Sequence, residues 1–147
     1  MVSTKILMVC LGNICRSPLA QGILEKKVFK SVIIDSAGTA GYHVGKKPDQ
    51  RSIDVGNKNG VDISNYKARQ FSKEDFKNFD HIYVMDNSNY KDVIDQAESI
   101  EDQKKVNLIL SYNQEVPDPY YFDQKEFEHC YRLLDNACEK IVKDLNL

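Results

Sequence analysis

A cysteine and an arginine enclose a short glycine-containing stretch near the start of the sequence, which reads Cys10, Leu11, Gly12, Asn13, Ile14, Cys15, Arg16 and Ser17. A cysteine thiolate is a nucleophile, and an arginine guanidinium offers a fork of donors that matches two oxygens of a phosphate-like dianion. Gly12 and Asn13 tolerate positive φ, so this backbone can curl its N–H groups inward around an anion. The same donors are expected to hold Cys10 as the thiolate, with help from the Ser17 hydroxyl. We therefore predict a phosphate-binding loop in which Cys10 attacks phosphorus and forms a phospho-cysteine.

Expulsion of an alkoxide or phenoxide by that attack requires a proton donor opposite the nucleophile. Asp118 lies between Pro117 and Pro119, which stiffen the chain on both sides of it. In isolation an Asp-Pro pair in a loop is typical of an ordinary turn. Together with the cysteine-arginine loop, Asp118 becomes the predicted general acid.

Other ligand-binding patterns fit less well. Residues 41–47 read Gly-Tyr-His-Val-Gly-Lys-Lys, which is one residue short between the glycines for a nucleotide-binding loop and lacks its Ser or Thr. The three histidines are scattered over a predicted loop, strand start and helix, at His43, His81 and His129, so no zinc site is expected. The sequence thus predicts no metal and no cofactor.

Apolar runs and amphipathic stretches alternate along the chain and must position these residues. Residues 6–9 are all apolar, which is typical of a strand covered by helices on both faces. The patterns predict strands over residues 5–10, 31–36, 81–85 and 106–110, helices over 17–30, 49–59, 87–97 and 127–145, and a helix start at 72–75. Ser17 is predicted as the N-cap of the first helix and Pro18 as its first residue.

Strands that alternate with helices predict an α/β fold, in which a parallel sheet carries helices on both faces. Ligands bind such sheets beyond the carboxyl ends of the strands. Four loops should therefore gather at one edge, those after Cys10, Ser36, Met85 and Leu110. Asp86 could reach this edge, but capping of the following helix is the favoured role.

Length and composition predict a single domain over residues 1–147. The chain has 147 residues, of which 41% are hydrophobic, and its 20 basic and 22 acidic residues give a net charge of −2. We therefore expect no nucleic-acid partner and no attraction to a membrane surface, while the oligomeric state stays open. The apolar run at the start is too short for a signal peptide or a membrane span. The four cysteines are expected to be reduced, in a cytoplasmic protein.

Several segments together resemble the low molecular weight protein tyrosine phosphatases over nearly the whole chain. The segments are residues 9–18, 35–39, 68–70, 79–80, 85–86 and 118–121. The resemblance implies a flavodoxin-like three-layer sandwich with a four-stranded parallel sheet. It also implies metal-free hydrolysis of phosphotyrosine in proteins or peptides, with Cys10 as nucleophile, Arg16 as clamp for the phosphate and transition state, and Asp118 as general acid and then base.

Further roles follow from the resemblance alone. Asn13, Ser17 and Ser36 match positions that hold the loop in shape and tune the thiolate, and Cys15 matches a cysteine that can trap Cys10 as a reversible disulfide. An aromatic wall at the mouth of the site is expected from Tyr42, Tyr120 and Tyr121. Such a wall suits a phenyl ring and deepens the site beyond the reach of phosphoserine.

One position departs from the family pattern. The family often has a histidine where this chain has Tyr66. If that histidine supports the loop asparagine, either the Tyr66 hydroxyl must supply the hydrogen bond or the network must differ.

Two other functions remain open. An arsenate reductase on the same scaffold would need a relay of cysteines, and Cys130 and Cys138 are expected on a distant helix. A non-catalytic module that binds phosphorylated ligands would be marked by loss of the nucleophile or the acid, and both are present.

Overall fold

A central sheet of four parallel strands organises the computed structural model, which describes residues 3–147; the first two residues of the predicted domain lie outside it. The strands are β1 (Lys5–Cys10), β2 (Ile33–Gly38), β3 (His81–Val84) and β4 (Val106–Leu108). Their order across the sheet is β2-β1-β3-β4, with all neighbouring pairs parallel. This confirms the predicted α/β class and the flavodoxin-like arrangement.

Burial on both faces of the sheet explains the unbroken apolar run of β1. Ile6 and Met8 pack into one core cluster, whereas Leu7 and Val9 pack into a second cluster on the opposite face. Successive side chains of a strand point to opposite faces, so a central strand under two layers of helices must be apolar at every position.

Six helices accompany the sheet over the described residues. They are α1 (Arg16–Lys27), α2 (Gln50–Lys58), α3 (Asp75–Asn78), α4 (Asn87–Ile94), α5 (Ile100–Lys104) and α6 (Gln124–Leu145). Helices α1, α2 and α6 contribute to the first core cluster, and α3 and α4 contribute to the second. No helix within residues 3–147 is both long and apolar enough to cross a membrane.

The start of α1 differs from the sequence prediction. The helix begins at Arg16, and Cys15 occupies the cap position without a side-chain cap hydrogen bond. The predicted capping role of Ser17 is wrong because its hydroxyl bonds to Cys10 and Asn13 instead. The helix N-terminus is therefore left open toward the loop that precedes it.

Other differences concern element ends. Strand β2 runs over Ile33–Gly38 rather than 31–36, because residues 29–32 form a turn closed by the Val32 N–H to Phe29 O bond. Helices α1 and α4 and strand β4 end earlier than expected, and α6 begins three residues earlier, with Asp123 as its cap. Helix α5 was not predicted, since it is short and has no buried residue that would create a periodic pattern.

Candidate active site

The loop from Cys10 to Arg16 curls at the carboxyl end of β1. Asn13 adopts a left-handed conformation with φ of 58°, which asparagine tolerates better than most residues. Within residues 3–147, the N–H groups of residues 11–15 donate to no other protein group, so they are available to an anion. Gly38 of β2 lies directly against the loop, and a Cβ atom there would come within 2.7 Å of Leu11 O. Glycine is therefore required at this position.

A chain of hydrogen bonds leads from the Cys10 sulfur into the loop. The Ser17 hydroxyl lies 3.0 Å from Cys10 Sγ, and Asn13 Nδ2 donates to Ser17 Oγ at 2.7 Å and to Ser36 Oγ at 2.9 Å. Because an amide nitrogen can only donate, Ser17 accepts from Asn13 and keeps its own proton for the sulfur. Ala37 O is more distant from Ser17 Oγ, at 3.5 Å. The Ser17 hydroxyl is therefore free to donate to the Cys10 sulfur.

Arg16 is almost fully buried, with 2% of its side chain exposed, yet the protein uses only part of its guanidinium. Nη1 donates to Asp86 Oδ2 at 2.8 Å and to Val116 O at 2.9 Å. Nε is buried and has no hydrogen-bond partner among the described residues, and Nη2 lies 3.7 Å from Asp118 Oδ2. A buried donor without a protein partner is rare, and this one is available to an oxyanion.

The charges around Arg16 keep it ionised. Burial lowers the pKa of the guanidinium, but the negative charges of Cys10, Asp86 and Asp118 outweigh that effect, so its pKa is raised above the ordinary value. Asp86 therefore has two roles, because its Oδ1 also accepts the Asn89 N–H at 2.8 Å as the cap of α4. From the sequence, the capping role of Asp86 was favoured over a position at the edge of the site.

Asp118 stands opposite the loop, as the sequence indicated. Its Oδ1 accepts the N–H of Tyr120 at 3.1 Å, which turns Oδ2 toward Arg16. The side chain is about one-third exposed, so a carboxyl proton can exchange with solvent. The structure thus brings Cys10, Arg16 and Asp118 to one cavity.

That cavity has a volume of about 420 Å³ including its open mouth, and it is lined by Cys10, Leu11, Gly12, Ile14, Cys15, Arg16, His43, Asp118, Tyr120 and Tyr121. Tyr120 and Tyr121 pack edge to face, with ring centroids 5.0 Å apart. Tyr42 does not line the cavity: it is 74% exposed, and the neighbouring His43 forms the wall instead. The sequence places these two residues side by side, and only the direction of the loop decides which one faces inward.

Tyr66 does not support the loop asparagine. Its hydroxyl bonds to Glu25 at 2.5 Å, and burial, reinforced by that bond, raises its pKa well above the ordinary value. Asn13 Oδ1 instead accepts the backbone N–H of Arg69 at 3.0 Å. Ser36 donates to Gln21 Oε1 at 2.6 Å, a partner that sequence reasoning missed. The second of the two expectations for Tyr66, a different network, therefore holds.

All four cysteines are free and buried. Burial, followed by the charges of Asp49 and Cys10, raises the pKa of Cys15 far above its ordinary value. Burial also raises the pKa of Cys130 and of Cys138 to about 12. Cys130 belongs to the same core cluster as Cys10 and Cys15. The thiols of Cys15, Cys130 and Cys138 stay protonated at neutral pH.

Comparison with known proteins gives consistent matches. The chain matches the family model described as low molecular weight phosphotyrosine protein phosphatase over residues 5–147. A protein of that description from Schizosaccharomyces pombe is 38% identical over 152 residues, which cover 96% of this chain and 96% of the relative.

Solved structures agree with the sequence matches. A protein tyrosine phosphatase from Entamoeba histolytica, with Hepes in the active site, superposes with a TM-score of 0.91 at 38% identity and covers 98% of this chain and 97% of that one. Vibrio vulnificus Wzb in complex with benzylphosphonate superposes with a TM-score of 0.89 at 32% identity and covers 96% of this chain and 98% of that one.

Proposed function

The chain belongs to the low molecular weight phosphotyrosine protein phosphatase family, and from this membership and the site geometry we propose that it hydrolyses phosphotyrosine in proteins or peptides through a phospho-cysteine. One observation carries the proposal. The unpartnered edge of buried Arg16, the Cys10 sulfur and the Asp118 carboxyl all face the same cavity. A tetrahedral dianion in that cavity would satisfy the arginine and lie within reach of both nucleophile and acid.

Binding of the phosphate uses the groups that the protein leaves free. Arg16 Nε and Nη2 form the two donors of a fork, and the N–H groups of residues 11–15 supply the remaining donors. These donors stabilise the negative charge of the equatorial oxygens in the transition state as well as in the bound ester. The helix dipole of α1, which begins at Arg16, adds to the same field.

The reaction follows in two steps. The Cys10 thiolate attacks phosphorus, the bond from phosphorus to the ester oxygen breaks, and Asp118 gives its proton to the departing phenoxide. Asp118, now a carboxylate, then takes a proton from a water molecule that attacks the phospho-cysteine, which releases phosphate and regenerates the thiolate. Because Asp118 must be protonated in the first step, we expect faster turnover on the acidic side of neutrality.

The cavity wall favours an aryl ester. Tyr120, Tyr121 and His43 form the sides of the cavity, and an aromatic ring can pack between them. The complex of Vibrio vulnificus Wzb with benzylphosphonate supports an aromatic ligand by analogy. We place Tyr42 at the outer rim, where it can contact the residues that flank the phosphotyrosine.

Cys15 fits the redox role that the sequence suggested, and it lines the same cavity as Cys10. Peroxide would oxidise Cys10 to the sulfenic acid, and the Cys15 thiol would then displace water to form a disulfide. Free cysteines and a thiolate nucleophile fit a reducing compartment, so we propose that the protein acts in the cytoplasm.

Replacement of Cys10 by serine tests the proposal. We expect the wild-type protein to hydrolyse an aryl phosphate in the presence of a chelator, and Cys10→Ser to lose this activity while it still binds a phosphotyrosine peptide in calorimetry. Cys138→Ser serves as the matched control and should stay active, because Cys138 lies in α6, where its thiol donates to Ala20 O, and does not line the cavity. Full turnover by Cys10→Ser would refute the mechanism, and tight peptide binding without wild-type turnover would indicate a binding module.

A further inference from the structure

Within the part of the chain that the structure describes, one side chain makes all the hydrogen bonds between the segment that follows the predicted acid and the rest of the protein. Arg51 Nη2 donates to Tyr120 O at 2.9 Å, and Arg51 Nη1 donates to Phe122 O at 2.8 Å. Among the described residues, no other group outside residues 118–122 makes a hydrogen bond to residues 119–122. The remaining bonds are internal, from Phe122 N to Pro119 O and from Tyr120 N to Asp118 Oδ1.

Arg51 is itself fixed from two sides. Its Nε and Nη2 bind the two carboxylate oxygens of Asp49 at 2.9 and 2.8 Å, and its guanidinium lies 4.4 Å from the centre of the buried Phe127 ring. The guanidinium is also 5.7 Å from the centre of the Tyr120 ring. A bidentate ion pair and stacking on an aromatic ring together leave the side chain little rotational freedom.

The same contacts continue into the phosphate-binding loop. The backbone N–H of Asp49 donates to Ile14 O at 2.8 Å, so the residue that holds Arg51 also holds this loop. A continuous path therefore joins the loop of the nucleophile to the segment of the acid. It runs from Ile14 through Asp49 and Arg51 to Tyr120, whose N–H orients the Asp118 carboxyl.

We propose that Arg51 is a positioning residue that clamps the acid-bearing segment to the phosphate-binding loop, and so sets the distance between Asp118 and the scissile bond. The inference rests on the proposed role of Asp118 as general acid. Arg51 does not bind the substrate phosphate, because four of its five N–H groups are already used by Asp49, Tyr120 and Phe122. Lysine could not replace it, since a single ammonium cannot form a fork and reach two carbonyls as well.

The variants Arg51→Gln and Arg51→Lys test this role, with Arg132→Gln as control. Arg132 is an exposed arginine on α6, and the hydrogen bonds that reach residues 119–122 from outside the segment come from Arg51 rather than from Arg132. The first measurement is the rate of chymotryptic cleavage after Tyr120, Tyr121 and Phe122, which does not depend on catalysis. We expect faster cleavage in both Arg51 variants and a wild-type rate in the control, at temperatures where unfolding curves show all proteins folded.

The second measurement is kcat on a series of aryl phosphates whose leaving groups differ in basicity. Displacement of the acid should lower kcat by about tenfold to a hundredfold for the most basic leaving groups, and far less for activated ones. In an Asp118→Ala background the Arg51 variants should lower kcat no further, because the acid that they position is gone. A purely structural role would lower thermal stability but leave the dependence on the leaving group unchanged.

Each outcome has a distinct meaning. Equal slowing by the Arg51 variants across the series, or undiminished slowing in the Asp118→Ala background, would overturn the positioning role. An unchanged cleavage rate would overturn the clamp itself. Absence of aryl phosphatase activity in the wild-type protein would instead refute the proposed function, and the cleavage rates would still support or overturn the clamp.

Discussion

Replacement of Asp86 by asparagine separates the two tasks of this side chain. Asparagine is a good helix N-cap, so its side-chain oxygen can still accept the Asn89 N–H that Asp86 Oδ1 accepts at 2.8 Å. The other end of the side chain becomes an NH₂ group, which would face the Arg16 Nη1 donor that now lies 2.8 Å from Asp86 Oδ2. Asp86→Asn therefore removes the ionic contact and retains the cap.

The burial of the Arg16–Asp86 contact sets the expected effect of Asp86→Asn on stability and activity. A hydrogen bond between two charged groups contributes about 1.5–3 kcal/mol when its surroundings are largely dry. Arg16 is 2% exposed and Asp86 is 20% exposed, and Val116 O still holds Nη1 in the variant. We therefore expect a loss of about 2 kcal/mol in the free energy of unfolding, and a similar loss in transition-state stabilisation, which is about a thirtyfold decrease in kcat/KM.

Urea unfolding and steady-state hydrolysis of an aryl phosphate measure the two effects. Asp86→Ala is the matched comparison, because it also removes the cap and should lower the free energy of unfolding by about a further 1 kcal/mol with little additional change in kcat/KM. If Asp86→Asn had wild-type stability and kcat/KM, the ionic contact would not position Arg16. If only Asp86→Ala lost activity, the cap rather than the charge would be the important feature.

Three further predictions concern other parts of the site. Asp118→Ala should lower kcat by about a hundredfold or more for basic leaving groups and much less for activated ones; equal slowing would exclude Asp118 as the acid. At neutral pH, iodoacetamide should label Cys10 before Cys15, since burial raises the pKa of Cys15 and keeps it a thiol; peptide mapping by mass spectrometry, with Cys10→Ser as control, would detect the opposite order. Tyr66→Phe should leave kcat/KM unchanged because its hydroxyl bonds to Glu25, whereas Ser36→Ala should lower it by about fivefold; a loss in Tyr66→Phe would show that Tyr66 supports the loop.

Much of this site could be predicted because its chemistry lies in one short stretch of sequence. The spacing from Cys10 to Arg16 corresponds to a single loop between a buried strand and a helix, and the apolar run of β1 indicates where that loop begins. Asp118 required one more step, the rule that loops after parallel strands meet at one edge of the sheet. The parallel sheet with helices on both faces followed from alternation of apolar strands with amphipathic helices, whereas its flavodoxin-like arrangement was implied by the family resemblance.

The missed contacts depend on tertiary geometry. The bond from Asp86 to Arg16 joins residues 70 positions apart, and the capping pattern around Asp86 already accounts for its presence. Arg51 donates to the backbone carbonyls of Tyr120 and Phe122. Every residue has a backbone carbonyl, so the sequence does not show which residues accept such bonds. Residue types therefore indicated Cys10, Arg16 and Asp118, and the family resemblance added Asn13, Ser17 and Ser36. Neither indicated the contacts that Asp86 and Arg51 make.

The hydrogen bonds around Asn13 give the loop its shape before any ligand arrives. The Arg69 N–H can only donate, so it fixes the side-chain oxygen of Asn13 and leaves the Asn13 NH₂ group to face Ser17 and Ser36. None of these four groups titrates near neutral pH, so the direction of every bond in the network is constant across the working range. Among the described residues, the N–H groups of residues 11–15 have no protein acceptor, so they remain available to a phosphate. Binding then requires little ordering of the backbone, and more of the contact energy is available to stabilise the transition state.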